Sequence, residues 1–103
     1  MKIKEITAFP IRINLDSPVI REEGNERPPV IDFGDYFVDE QAFTSIYSKH
    51  HETTVIKIQT DNGIVGWGEA QSPVSPRTTK VIVDELVRPL IIGRDPFDIE
   101  AIW

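Results

Sequence analysis

The stretch Thr53-Thr54-Val55-Ile56-Lys57-Ile58-Gln59-Thr60-Asp61-Asn62-Gly63-Ile64-Val65-Gly66-Trp67-Gly68-Glu69-Ala70 decides the fold. Thr53 to Thr60 is rich in β-branched residues and alternates, with Ile56 and Ile58 on one face and Val55, Lys57 and Gln59 on the other. Asp61-Asn62-Gly63-Ile64 then carries the Asn-Gly pair that favours a two-residue type I′ turn, because both central residues tolerate positive φ. Ile64 to Ala70 is the return strand, and the stretch reads as a β-hairpin.

Working outward, Ile3 to Ile13 reads as a further strand. Phe9, Ile11 and Ile13 alternate with Pro10 and Arg12, which places the first three on a core face. Pro10 cannot donate a ladder hydrogen bond, so the strand is expected at a sheet edge or bulged there. Asn14 to Glu52 reads as a long irregular loop punctuated by Ser17-Pro18, Gly24-Asn25, Pro28-Pro29 and Gly34. It also carries Phe33, Tyr36, Phe37, Phe43 and Tyr47, too many rings for a solvated linker, so it should pack on something. A short helical turn is expected within it, around Asp39 to Tyr47. After the hairpin, Ser75 as N-cap and Pro76 at the first position open a helix with the apolar stripe Val81, Val83, Leu86, Val87 and Leu90. Arg88-Pro89 disturbs its end and Gly93 closes it. Asp95-Pro96 repeats the start signal for a second helix, whose apolar pattern is Phe97, Ile99, Ile102 and Trp103. Two large apolar residues at a fraying terminus suggest a fragment of a longer protein, or a last turn docked on a partner.

A chain of 103 residues accommodates one domain with a modest core. It has no cysteine, hence no disulfide, thiolate metal site or Cys nucleophile. The net charge is −6, and the segment from Asp16 to Glu40, with eight acidic and two basic residues, carries all of it. With no basic stripe, nucleic-acid binding is disfavoured. No signal-peptide run opens the chain and no apolar stretch is long enough to span a bilayer, so a cytoplasmic protein with no membrane partner is expected.

The order strand, long loop, hairpin, helix, second helix start resembles the N-terminal capping domain of the enolase superfamily, of the mandelate racemase/muconate lactonizing enzyme type. Thr60 to Ala70 resembles that family's hairpin signature, a turn followed by Gly-Trp-Gly-Glu. Leu90-Ile91-Ile92-Gly93-Arg94-Asp95-Pro96, with Ile99-Glu100 and Trp103, resembles its link between the first two capping helices. The likeness covers Met1 to Ile13 and Thr53 to Trp103, while the loop between varies within the family. It implies an α+β fold: a three-stranded antiparallel meander packed on C-terminal helices, residues 1–103 forming a capping lid truncated at the start of its second helix. It further implies a TIM-type barrel beyond Trp103 that holds Mg²⁺ and the bases removing a proton α to a carboxylate. No catalytic residue or metal ligand is therefore expected in this chain. The partners implied are the barrel of the same polypeptide and a small carboxylate or acid-sugar substrate, with the full-length enzyme a homo-oligomer.

By position in the resemblance, the segments Asn14 to Glu52 and Glu69 to Ser75 would meet the distal part of the substrate and exclude water. The substrate-contacting candidates are Glu69, Gln71, Ser72, His50, His51, Tyr36 and Tyr47. Each has a plainer reading: Glu69 as a loop anchor, the histidines as polar residues entering a strand, the tyrosines as packing. Adjacent histidines in extended chain point opposite ways and cannot chelate one ion. Arg21 and Arg27 read as solvated or ion-paired. Gly66-Trp67-Gly68 lacks the third glycine of a dinucleotide loop, Gln71 standing there. Asp32-Phe33-Gly34 has none of the companions of the kinase metal tripeptide. The polar loop favours a hydroxylated substrate, hence acid-sugar dehydration before racemisation or epimerisation, and cycloisomerisation last. The isolated chain is expected to be inactive. A free-standing α+β module that binds a protein partner is the alternative of another class.

Overall fold

A computed structural model describes residues 1–14, 30–39 and 46–98. Strands β1 (Ile3–Ile13), β5 (His51–Thr60) and β6 (Val65–Ala70) form an antiparallel sheet in the order β1-β5-β6, which is the expected meander. Pro10 sits opposite Thr54 on edge strand β1, where its missing N–H is harmless.

The core face of β1 is not the one the alternation suggests. The register slips between Ile3 and Glu5. A bulge adds one residue and changes parity, so burial passes from Ile3 to Ile6 and Ala8. Phe9 and Ile13 turn away from the helices, 41% and 57% exposed. Phe9 meets Trp67 there, ring centroids 6.3 Å apart, with Lys57 Nζ 5.5 Å from the Trp67 ring. Ile56 and Ile58 pack on the core side, as read from the sequence.

The hairpin forms, but its turn is a three-residue loop rather than type I′. Gly63 N–H donates to Thr60 O at 3.2 Å, and Thr60 N–H donates to Ile64 O at 2.9 Å. Gly63 has φ +87°, whereas Asn62 is not in the positive-φ region. That is a β-turn followed by a left-handed glycine, a common hairpin closure. The Thr60 hydroxyl adds to it, accepting the Ile64 N–H at 3.0 Å.

Part of the expected irregular loop is a second antiparallel sheet. β2 (Val30–Asp32), β3 (Tyr36–Asp39) and β4 (Ile46–Ser48) pair in sequence order. Its tight turn rests on Asp32, whose carboxylate accepts the Gly34 N–H at 3.1 Å and is clasped by Lys49 Nζ at 2.7 and 2.8 Å. Phe37 is buried and stacks on Tyr47 at 5.6 Å. The helical turn expected around Asp39 to Tyr47 has strand at both ends, and residues 40–45 lie outside the described residues. At those ends Phe37 and Tyr47 stack as a cross-strand pair.

The helix runs as α1 (Pro76–Ile82), a wide π turn (Val83–Val87) and α2 (Arg88–Ile91). Pro89 lacks an N–H and its ring crowds the carbonyl four residues back. The wide turn accommodates this, Arg88 N–H reaching Val83 O instead. Within such a turn the inward face advances by four residues, so Val83, Val87 and Ile91 face the sheet. Val81, Leu86 and Leu90 of the expected stripe are 51%, 62% and 67% exposed. Gly93 ends the helix with φ +86°, and its N–H meets Ile3 O at 2.8 Å. Asp95 caps the next turn, accepting the Phe97 N–H at 2.9 Å, while residues 99–103 of the expected second helix lie outside the described residues.

Candidate functional site

The sheet end where β1 finishes, β5 begins and β6 finishes carries a cavity of about 410 Å³, lined by Ile13, His51, Thr53, Glu69, Gln71 and Ser72. Local patterning explains the lining. His51, Thr53 and Glu69 project from the face that carries Phe9 and Trp67, since Thr53 pairs with Ile11 and Val55 with Glu69. Gln71-Ser72-Pro73 leaves β6 toward the helix and closes one side.

The seven candidates divide into three groups. His51, Glu69, Gln71 and Ser72 come together around this cavity, the first three exposed. Ser72 is buried at 5% exposure. Its hydroxyl is engaged by Thr54 Oγ1 at 3.1 Å, Ala70 O at 2.9 Å and Thr79 Oγ1 at 2.8 Å. His50 and Tyr36 lie instead in a polar seam between the two sheets. Tyr47 stays on the small sheet, stacked on Phe37 and 42% exposed.

The seam is built on residues that the sequence reading passed over. Glu52, with its side chain 1% exposed, stands opposite Arg12 in the register. Its Oε1 accepts from Arg12 Nε at 3.0 Å and from Tyr36 Oη at 3.2 Å. Arg12 Nη2 also reaches Asp35 at 3.0 Å, and His50 Nε2 lies 3.5 Å from the same carboxylate. The hydrogen bond to Glu52, followed by the charge of Asp35, raises the Arg12 guanidinium above its ordinary value. A buried carboxylate needs such partners to offset its desolvation. The available signal was an opposite-charge cross-strand pair, visible only once the bulge has set the register.

Ser75 stands at the helix start with φ +50°, the one positive-φ residue other than glycine among the described residues. It does not cap as expected, because capping needs an extended backbone to aim the hydroxyl at the second or third N–H. Its Oγ lies 2.8 Å from Thr78 Oγ1, and its N–H donates to Tyr36 Oη at 3.0 Å.

No group of three His, Cys, Asp or Glu side chains among the described residues is placed to hold a metal ion. No described helix is long and apolar enough to cross a membrane.

The model of the mandelate racemase/muconate lactonizing enzyme N-terminal domain matches residues 38–103. A D-galactonate dehydratase of Pectobacterium atrosepticum is 48% identical over 48 residues, covering 47% of this chain and 12% of that protein. A D-galactonate dehydratase family member of Paenibacillus sp. is 36% identical over 56 residues, covering 53% of this chain and 14% of that protein. A candidate isomerase from Sinorhizobium meliloti has a crystal structure that superposes with a TM-score of 0.82 at 35% identity, over 99% of this chain and 26% of that one. The chain thus spans 12–14% of the length of these curated relatives. A meander on a helix, a Gly-Trp-Gly-Glu hairpin and this match over most of its length make the chain a member of the mandelate racemase/muconate lactonizing enzyme family of the enolase superfamily, as its N-terminal capping domain.

Proposed function

We propose that this chain is the substrate-specificity lid of a magnesium-dependent enzyme that removes the proton α to a carboxylate, and that the reaction is dehydration of an acid sugar. The observation that carries the reading is the 40–48% identity to D-galactonate dehydratases over 48 residues, 47% of this chain. The cavity at the end of the main sheet, with His51, Glu69 and Gln71 open to it, offers donors and acceptors to the hydroxyl groups at the far end of such a substrate. In the reaction the α proton leaves, the β hydroxyl departs as water, and the enol formed tautomerises to a 2-oxo-3-deoxy acid. The described residues do not fit a magnesium site, and in this reading the ion and the bases belong to a barrel of the same polypeptide. The full-length enzyme is a cytoplasmic homo-oligomer in this reading.

The test is an assay of the full-length polypeptide with Mg²⁺ against a panel of acid sugars. Formation of a 2-oxo-3-deoxy acid is expected, with Gln71→Ala or His51→Ala raising KM, and with no turnover by the isolated 103-residue chain. Inversion at the α carbon without loss of water would instead favour a racemase or epimerase. The Sinorhizobium meliloti candidate isomerase, similar over 99% of this chain, supports that second reading, with cycloisomerisation after it. A free-standing protein-binding module finds support in exposed Leu86, Leu90 and Phe97. Strand–helix alternation in the reading frame after Trp103 would exclude it.

A further inference from the structure

Glu52 lies on the wall between two cavities, the one described above and a second of about 420 Å³ that includes Arg12, Asp35, Tyr36, Ser75 and Arg77. Its two oxygens are used unequally. Oε1 takes both donors, Arg12 Nε and Tyr36 Oη, while Oε2 is buried and accepts from no described residue. Because the side chain is 1% exposed, a ligand in either cavity does not meet that oxygen unless the lining moves. Glu52 therefore acts on what it holds rather than by contact.

What it holds joins the two segments that flank the candidate site. Tyr36 belongs to the small sheet within the long segment 14–52, and its hydroxyl donates to Glu52. The same hydroxyl accepts the N–H of Ser75, at the end of the segment 69–75. Among the described residues this is the one side-chain hydrogen bond between those two segments. It also falls on a strained residue. A left-handed backbone at a residue with a Cβ persists only when its surroundings impose it. The Tyr36 hydroxyl and Thr78 are the side-chain groups that do so here.

We propose that Glu52 is a positioning residue: through Tyr36 it holds the β2–β4 sheet against the Ser75 turn and so sets the spacing of the two loops that select the substrate. Given the lid reading, its loss loosens both loops without altering the chemistry of His51, Glu69 or Gln71. Arg12 secures the arrangement from β1, bridging Glu52 and Asp35.

The experiment uses the full-length enzyme and the variants Tyr36→Phe, Glu52→Ala and Glu52→Gln. Tyr36→Phe keeps the ring and deletes only the shared hydroxyl, so it reports even if Glu52→Ala fails to fold. Amide hydrogen exchange is followed in peptides covering 30–39, 53–70 and 71–78, beside steady-state kinetics on the acid sugar. Expected for Tyr36→Phe and Glu52→Ala is exchange about tenfold faster in 30–39 and 71–78, unchanged in 53–70. KM should rise about tenfold with kcat little altered, since remote positioning is lost and not the reacting groups. Glu52→Gln, which retains a carbonyl acceptor, should fall between these variants and the parent. Unchanged exchange in 30–39 and 71–78 overturns the proposal, as does acceleration spread equally over 53–70. Faster exchange with an unchanged KM overturns the link to substrate selection. A parent enzyme without activity on any acid sugar would sink the lid reading instead, and exchange alone would then decide the coupling.

Discussion

Truncating Ile6 and Ile13 in turn, each to Ala, separates the two possible faces of β1. Ile6 is 3% exposed and packs with Val83, Ile91 and Ala8, whereas Ile13 is 57% exposed. Ile→Ala deletes three carbons, worth about 2.5 kcal/mol of transfer free energy when fully buried. A closed cavity at Ile6 adds about 1 kcal/mol, giving ~3.5 kcal/mol, within the usual span for such core truncations. At Ile13 less than half of the side chain is covered and no closed cavity forms, so the loss is about 1 kcal/mol. The assay is equilibrium urea unfolding of the 103-residue chain, followed by far-ultraviolet circular dichroism and by the fluorescence of its two tryptophans. For a domain of this size the midpoint should fall by roughly 2–3 M for Ile6→Ala and by less than about 1 M for Ile13→Ala. A larger loss at Ile13 than at Ile6 would refute the parity change that the bulge between Ile3 and Glu5 imposes.

Two further substitutions test local conformation. Gly63 has φ +87° and nothing within 4 Å of an added Cβ, so Gly63→Ala should destabilise by about 1–2 kcal/mol, through backbone strain alone. Gly66 also has open space but no positive φ, so Gly66→Ala in the same chain should be neutral or stabilising by up to about 1 kcal/mol. Thermal unfolding of both variants reads the contrast, and equal effects would refute it. For pH, the Lys49 ammonium and then the Gly34 N–H hold the Asp32 carboxyl below its ordinary value of 3.8. A group depressed on folding contributes stability that is complete above its unfolded value and lost as pH falls through the lower folded value. Residues 30–39 should therefore loosen as the pH drops below about 3.8 in the parent but show no such step in Asp32→Asn, as read by exchange at graded pH.

The hairpin, the edge position of Pro10, the helix start at Pro76, its end at Gly93 and the Asp95 cap were legible because each rests on contacts within a few residues. The Gly-Trp-Gly-Glu stretch and the Gly-Arg-Asp-Pro link likewise sufficed for the family. The turn type was misread by one residue: Asn-Gly tolerates two closures, and the Thr60 hydroxyl bonded to Ile64 belongs to the three-residue one. The helix stripe was misread because Pro89 widens the preceding turn, a distortion that an ideal period cannot express.

Of the candidate site, His51, Glu69, Gln71 and Ser72 were assembled by chain order, since they flank the two strand ends that the hairpin brings together. Glu52, Arg12 and Ser75 were not. Glu52 and Arg12 are 40 residues apart, and Tyr36 and Ser75 are 39 apart. Their meeting depends on a register that one inserted residue near Ile3 can flip. Local periodicity and turn chemistry, which act over a single turn or pleat, were thus sufficient for the elements and the family. Which face of β1 is buried, and which carboxylate is sealed between the two sheets, are set by long-range pairing, because only tertiary packing chooses between alternatives of nearly equal local energy.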